Sequence, residues 1–135
     1  MTDFLIERTG QLALQFDGAV IAEESSHIAV NGGPLQNRWH ELTLYQTRGD
    51  QLVLAVAYRS RWQGEHDHHS AEVTSRAGAI TALTKHYDPL AWYGGYPEGA
   101  HYAEKDRRQR EAIRLGYERA VSRLMHAAHF AEPVE

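Results

Sequence analysis

Arg38-Trp39-His40-Glu41-Leu42-Thr43-Leu44-Tyr45-Gln46-Thr47-Arg48-Gly49-Asp50-Gln51-Leu52-Val53-Leu54-Ala55-Val56-Ala57-Tyr58-Arg59-Ser60 decides the fold. Leu42 and Leu44, then Leu52, Leu54, Val56 and Tyr58, take the even positions, the period of two of a half-buried strand. Arg48-Gly49-Asp50 interrupts the alternation as a turn. With the turn centred on Gly49, Leu44 falls opposite Leu54 and Leu42 opposite Val56, so both apolar sets share one face. A one-residue slip would mix the faces.

Upstream, Leu12, Leu14 and Phe16 alternate, Asp17-Gly18 is a hairpin dipeptide, and Ala19-Val20-Ile21-Ala22 follows. That pattern predicts a second hairpin. Residues 25–37, with Asn31-Gly32-Gly33-Pro34, read as a loop. Gln63–His69 is polar and turn-like, and Ala71–Thr74 reads as a short returning strand. Downstream the period changes. Ser75 is placed to cap a helix over about 77–87, with Ile80, Leu83 and Tyr87 on one side and Asp88-Pro89 as its stop. Ile113, Tyr117, Ala120, Val121, Leu124, Met125 and Ala128 recur at steps of three and four, which predicts a longer helix over about 103–129. Its first turns, Glu104–Arg110, lack the apolar stripe and should project beyond the core. The expected architecture is α+β: one domain over 1–135, an antiparallel sheet of four or five strands in a meander of hairpins, with two C-terminal helices packed on one face.

Composition narrows the class. The chain of 135 residues is 42% hydrophobic and 24% charged, ordinary for a globular domain that builds its own core. It contains no cysteine, which excludes disulfides, thiolate ligands and a cysteine nucleophile, and which fits a cytoplasmic location. The N-terminus has no basic segment followed by a long apolar one, and no window reaches the roughly 18 apolar residues of a membrane span. The net charge of −4 argues against a protein that coats nucleic acid. The charge is uneven, however: residues 104–123 hold seven Lys or Arg against four Asp or Glu.

Four groups of residues are candidates for function. Glu65-His66-Asp67-His68-His69 places His66 and His68 on one side of an extended segment, where they can chelate a divalent metal. A third ligand would have to come from Glu65, Glu72, His27 or His101, and the alternative is a solvated tip. Residues 87–102 carry five of the thirteen aromatics, including Trp92, Tyr93, Tyr96 and Tyr102, on a backbone with three glycines. Such a loop is either a binding surface or a wrap over the end of the sheet. Arg107, Arg110 and Arg114 share a face of the basic helix 104–123 and would meet phosphates or an acidic protein, unless neighbouring acids neutralise them. The odd-numbered face of the central hairpin places Trp39 across from Arg59 as an expected stacking pair on an open face.

No Walker loop, dinucleotide fingerprint or nucleophile elbow occurs, and no catalytic residue is assigned. His40 and Glu41 face opposite sides of their strand. The expected function is a non-enzymatic binding or regulatory module working by protein–protein contact. A small metal-dependent enzyme, a hydrolase with His66 and His68 as ligands and Glu65 or Glu72 as base, is the alternative. A nucleic-acid-binding regulator is the third reading. No membrane partner and no organic cofactor are expected, and a sheet edge would serve for homo-oligomerisation.

Overall fold

A computed structural model describes residues 2–27 and 37–128. The loop expected around Asn31–Pro34 and residue 129, the expected end of the long helix, lie outside the described residues. Among those described, five antiparallel strands run in sequence order: β1 Thr2–Arg8, β2 Gln11–Ser25, β3 Arg38–Thr47, β4 Leu52–Ser60 and β5 His68–Thr74. Two helices follow, α1 Ala77–His86 and α2 Ala100–Ala127. The α+β class and the helices on one face are as the periodicities predict.

The central hairpin has the expected register, with Leu44 opposite Leu54, Leu42 opposite Val56 and Trp39 opposite Arg59. Its even face forms the main core: Leu42, Leu44, Leu52, Leu54 and Val56 pack under Ile80 of α1 and Tyr117, Ala120 and Leu124 of α2. Burial of each large aliphatic side chain is worth about 1.5–3 kcal/mol, so this face dominates the stability of the domain.

The expected second hairpin is not there. Residues 11–25 form one continuous strand, and the turn lies earlier, at Thr9-Gly10, where Gly10 takes φ +76°. Gly18 serves close approach rather than a turn. It pairs with Thr47, and a Cβ there would collide with the Gln46 carbonyl oxygen. A bulge between Val20 and Ala22 then re-aims the strand. Val20 pairs with Tyr45 on the side away from the helices, whereas Ala22 pairs with Leu44 and joins the main core.

The odd face is not a flat open surface. The sheet curls until β1 approaches β5, and Thr9 and His69 are joined by two hydrogen bonds of 2.8 Å. Inside the curl Phe4, Phe16 and Tyr45 make a three-ring cluster with centroids 4.8–5.6 Å apart, and Val53 is buried.

Two helix boundaries differ from expectation. The N-cap of α1 is Arg76, with no side-chain cap bond, so Ser75 does not cap it. The helix α2 begins at Ala100, after Gly99 at φ 136°, which shortens the aromatic loop by its last residues.

Candidate functional site

The polar end of the even face holds the densest constellation of functional groups. Parity puts Arg38 and His40 on the same side of β3 as Leu42 and Leu44, and Tyr58 lies opposite His40 on β4. The loop between α1 and α2 closes over this end. Arg38 is buried, with its side chain 2% exposed, and faces Glu65 at 12%. Its Nε donates to both Glu65 oxygens (3.1 and 2.9 Å) and its Nη2 donates to Oε2 at 2.5 Å, a bidentate pairing. Tyr58 donates its hydroxyl proton to the same carboxylate at 2.9 Å. Burial alone would raise the Glu65 carboxyl, but the bonds from Arg38, Tyr58 and Ser60 outweigh it and hold the group below its ordinary value. Burial and the neighbouring carboxylate push the Tyr58 phenol the other way, well above its usual range.

The faces of the Arg38 guanidinium are covered by rings. Trp62 lies 4.7 Å from its carbon and Tyr93 4.6 Å, while Arg110 of α2 sits 4.9 Å from the Tyr93 centroid. The result is a stack of four layers, Trp62, Arg38, Tyr93 and Arg110, alternating ring and cation. Each such contact is worth about 0.5–2 kcal/mol, more where water is excluded. Tyr93 is fixed in the stack by donating to Asp106 at 2.7 Å, and Asp106 in turn accepts from Arg110 at 2.7 Å. Gly94 lets the loop come this close, since a Cβ there would lie 2.8 Å from Oε2 of Glu65.

The remaining loop aromatics also dock. Trp92 stacks flat on His68, with centroids 3.9 Å apart and planes 3° off parallel. Tyr96 bridges Trp62 at 5.9 Å and Tyr102 at 6.0 Å. The loop is therefore a wrap with inward-facing rings, yet Trp62, Trp92 and Tyr102 stay 39%, 41% and 37% exposed.

The other expected groups are arranged differently. Trp39 and Arg59 are cross-strand neighbours without stacking on each other. Arg59 is instead drawn to Glu41 and Asp67, both at 2.9 Å, because carboxylates outbid a ring for a half-exposed guanidinium. Arg61 takes the place over Trp39 at 5.2 Å, and His27 stacks on the same indole at 3.8 Å. Glu41, Arg59, Tyr45 and His69 line a small polar groove of about 280 Å3 inside the curl. On α2, Arg107 and Arg108 share Glu104, Arg110 pairs with Asp106, and Arg114 pairs with Glu111. Each arginine of the basic face thus has an acidic partner within one helical turn.

His66 is exposed and His68 is held by Trp92. Glu65, a prospective third ligand, is committed to Arg38 and Tyr58. Among the described residues no group of three or more His, Asp or Glu side chains is gathered as a metal would require. Among the described residues no helix is long and apolar enough to cross a membrane. Sequence reasoning singled out Glu65 only as a metal ligand or base and passed over Arg38, although Arg38 has the same even parity as the buried leucines.

His40 completes this end of the face. It is 0% exposed, caged by Tyr58, Tyr87 and Tyr117 at 5.4, 5.5 and 5.2 Å, and among the described residues neither ring nitrogen has a hydrogen-bond partner. Burial lowers its pKa to about 4, so the ring is neutral at pH 7.

Comparison with known proteins returns no match to this chain, whether among family models, curated proteins or solved structures.

Proposed function

We propose that the protein is a non-enzymatic binding module that contacts a protein partner through the aromatic surface at the polar end of the sheet. The observation that carries this reading is the row Trp62–Tyr96–Tyr102, together with Trp92, left partly exposed on a rigid base. Trp, Tyr and Arg are the residues that dominate interface energies, and rings already held in place lose little freedom on binding. The Trp62–Arg38–Tyr93–Arg110 stack provides that holding. The rim is polar, with Asp106 one helical turn after Tyr102 on α2 and Arg110 paired to it, as interfaces commonly are.

The test is a pull-down with tag-free controls, comparing the natural chain with Trp92→Ser/Tyr102→Ser, both exposed positions outside the Trp62–Arg38–Tyr93–Arg110 stack. A specific protein captured by the former and lost by the latter, with circular dichroism unchanged, supports the reading. Equal capture by both, or no retained partner over a range of salt, rules it out. Light scattering on the same samples shows whether the partner is a second copy of the chain.

A further inference from the structure

Away from the aromatic surface, α1 lies over β4 and β5 while α2 crosses β2 and β3. Helices in direct contact sit about 8–10 Å apart. These two rest on different strand pairs and leave a cleft of about 750 Å3 between them. That volume is within the roughly 300–1,000 Å3 of small-molecule sites. Leu90, Val121 and Met125 supply apolar walls. Tyr87 and Tyr117 also line the cleft, with centroids 5.3 Å apart and planes 29° from parallel. The Tyr117 hydroxyl donates to the Thr84 carbonyl at 2.7 Å, whereas the Tyr87 hydroxyl has no such bond among the described residues.

Two features limit what the cleft can take. The first is charge. Lys85, Arg114 and His126 share the rim with Asp88 and Glu118, and Arg114 is also paired with Glu111, so the signs are mixed and a net anion or cation would lose hydration without meeting a field of one opposite sign. The second is His40, which is outside the cleft wall but meets both tyrosine rings edge-on, with two nitrogens that have no partner among the described residues. Buried polar groups left without partners are rare in native cores and mark sites where something beyond packing is at work.

The geometry points to a binding site in this cleft for a neutral, flat, mainly apolar small molecule that lies against the Tyr87–Tyr117 pair and offers one hydroxyl to the Tyr87 oxygen. The site is separate from the protein-contact surface and stands or falls independently of it.

Three naphthalene probes test the proposal at pH 7: 2-naphthol, 2-naphthoate and 2-naphthylmethylammonium, each titrated into protein with isotope-labelled histidine. The expected result is saturable binding of 2-naphthol, at least tenfold tighter than either charged probe, with displacement of the His40 ring signals through the two tyrosines. Ser122→Trp and Thr81→Trp, at exposed lining positions on opposite helices, should each fill the cleft and abolish binding while the melting temperature is kept. Absence of saturable binding overturns the proposal. So does equal or tighter binding of a charged probe, binding that leaves His40 unmoved, or binding that persists in whichever of the two variants folds.

Discussion

Arg38 and Glu65 form a nearly solvent-free ion pair that joins the start of β3 to the segment ahead of β5, three hydrogen bonds deep and capped by rings on both faces of the guanidinium. Two charges out of water cost several kcal/mol each before their attraction is counted, so the pair is a matter of geometry as much as stability. It sets the position of the loop above it, because Tyr93 and Gly94 both rest on the pair.

Breaking one side should therefore be costly. Glu65→Gln leaves the Arg38 charge buried without a counter-ion, and the expected loss is about 3–5 kcal/mol in urea unfolding. Replacing both residues, as Arg38→Met/Glu65→Leu, should recover most of that loss, since no orphan charge remains. A double variant as unstable as the single one would show that the pair contributes more than mutual neutralisation.

Two of the perturbed groups near this end, His40 and Glu65, make the domain acid-labile in two windows. His40 has an ordinary value of 6.5 and a folded value of about 4. Between these the unfolded chain binds a proton that the native state refuses, so stability falls as the pH drops from 6.5 towards 4. The full effect is about 3 kcal/mol. For Glu65 the folded value lies below its ordinary 4.5, so its contribution is complete above about pH 4.5 and disappears as the pH falls further. His40→Leu should flatten the upper window and leave the lower one, while Glu65→Gln should leave the upper window and reduce the lower, to which Asp67, Glu104 and Asp106 also contribute. Urea midpoints measured from pH 7 to 3 separate the two. An unchanged slope between pH 6.5 and 4 in His40→Leu would show that the imidazole is not held neutral.

The loop gives a sterically sharper prediction. Gly94→Ala would place a methyl group 2.8 Å from a Glu65 oxygen that Arg38 holds in place. Either the loop lifts or the ion pair shifts, and the expected cost is about 1–3 kcal/mol. Gly78→Ala, in α1 with nothing within 4 Å, is the control and should be neutral to slightly stabilising. Denaturant midpoints of the two variants, measured side by side, decide the matter.

These results show where the sequence was legible. The central hairpin could be read to the residue because both strands carry strict alternation against one buried face, so any other register would expose leucines. The long helix was readable from its apolar stripe, but its first turn, from Ala100, carries no stripe and begins three residues ahead of the expected start. The same parity rule that buries Leu42 also buries Arg38 and His40, yet polar identity argues for solvent, and only the tertiary partner Glu65 and the covering rings resolve the conflict. The Trp39–Arg59 neighbourhood was right and its chemistry wrong, because Glu41 and Asp67 compete for the arginine. The curl of the sheet was not legible, since it depends on the Thr9–His69 closure between strands at opposite edges.

Gly18 is where local chemistry and tertiary context disagree most plainly, and the two accounts predict different mutants. In a two-residue turn Asp-Gly is favoured because glycine tolerates positive φ, and asparagine is the next best residue there. In the observed strand Gly18 does not take positive φ, and its constraint is the carbonyl of Gln46, a backbone atom that cannot rotate out of the way. Any Cβ collides equally, so Gly18→Ala and Gly18→Asn should each destabilise the protein by about 3 kcal/mol, with no advantage to asparagine. The β2–β3 pairing should loosen first, visible as faster amide exchange at Gly18 and Thr47 than at Leu44 and Leu54. A Gly18→Asn protein much more stable than Gly18→Ala would mean that the chain turns at this point after all, and that β2 is two strands rather than one.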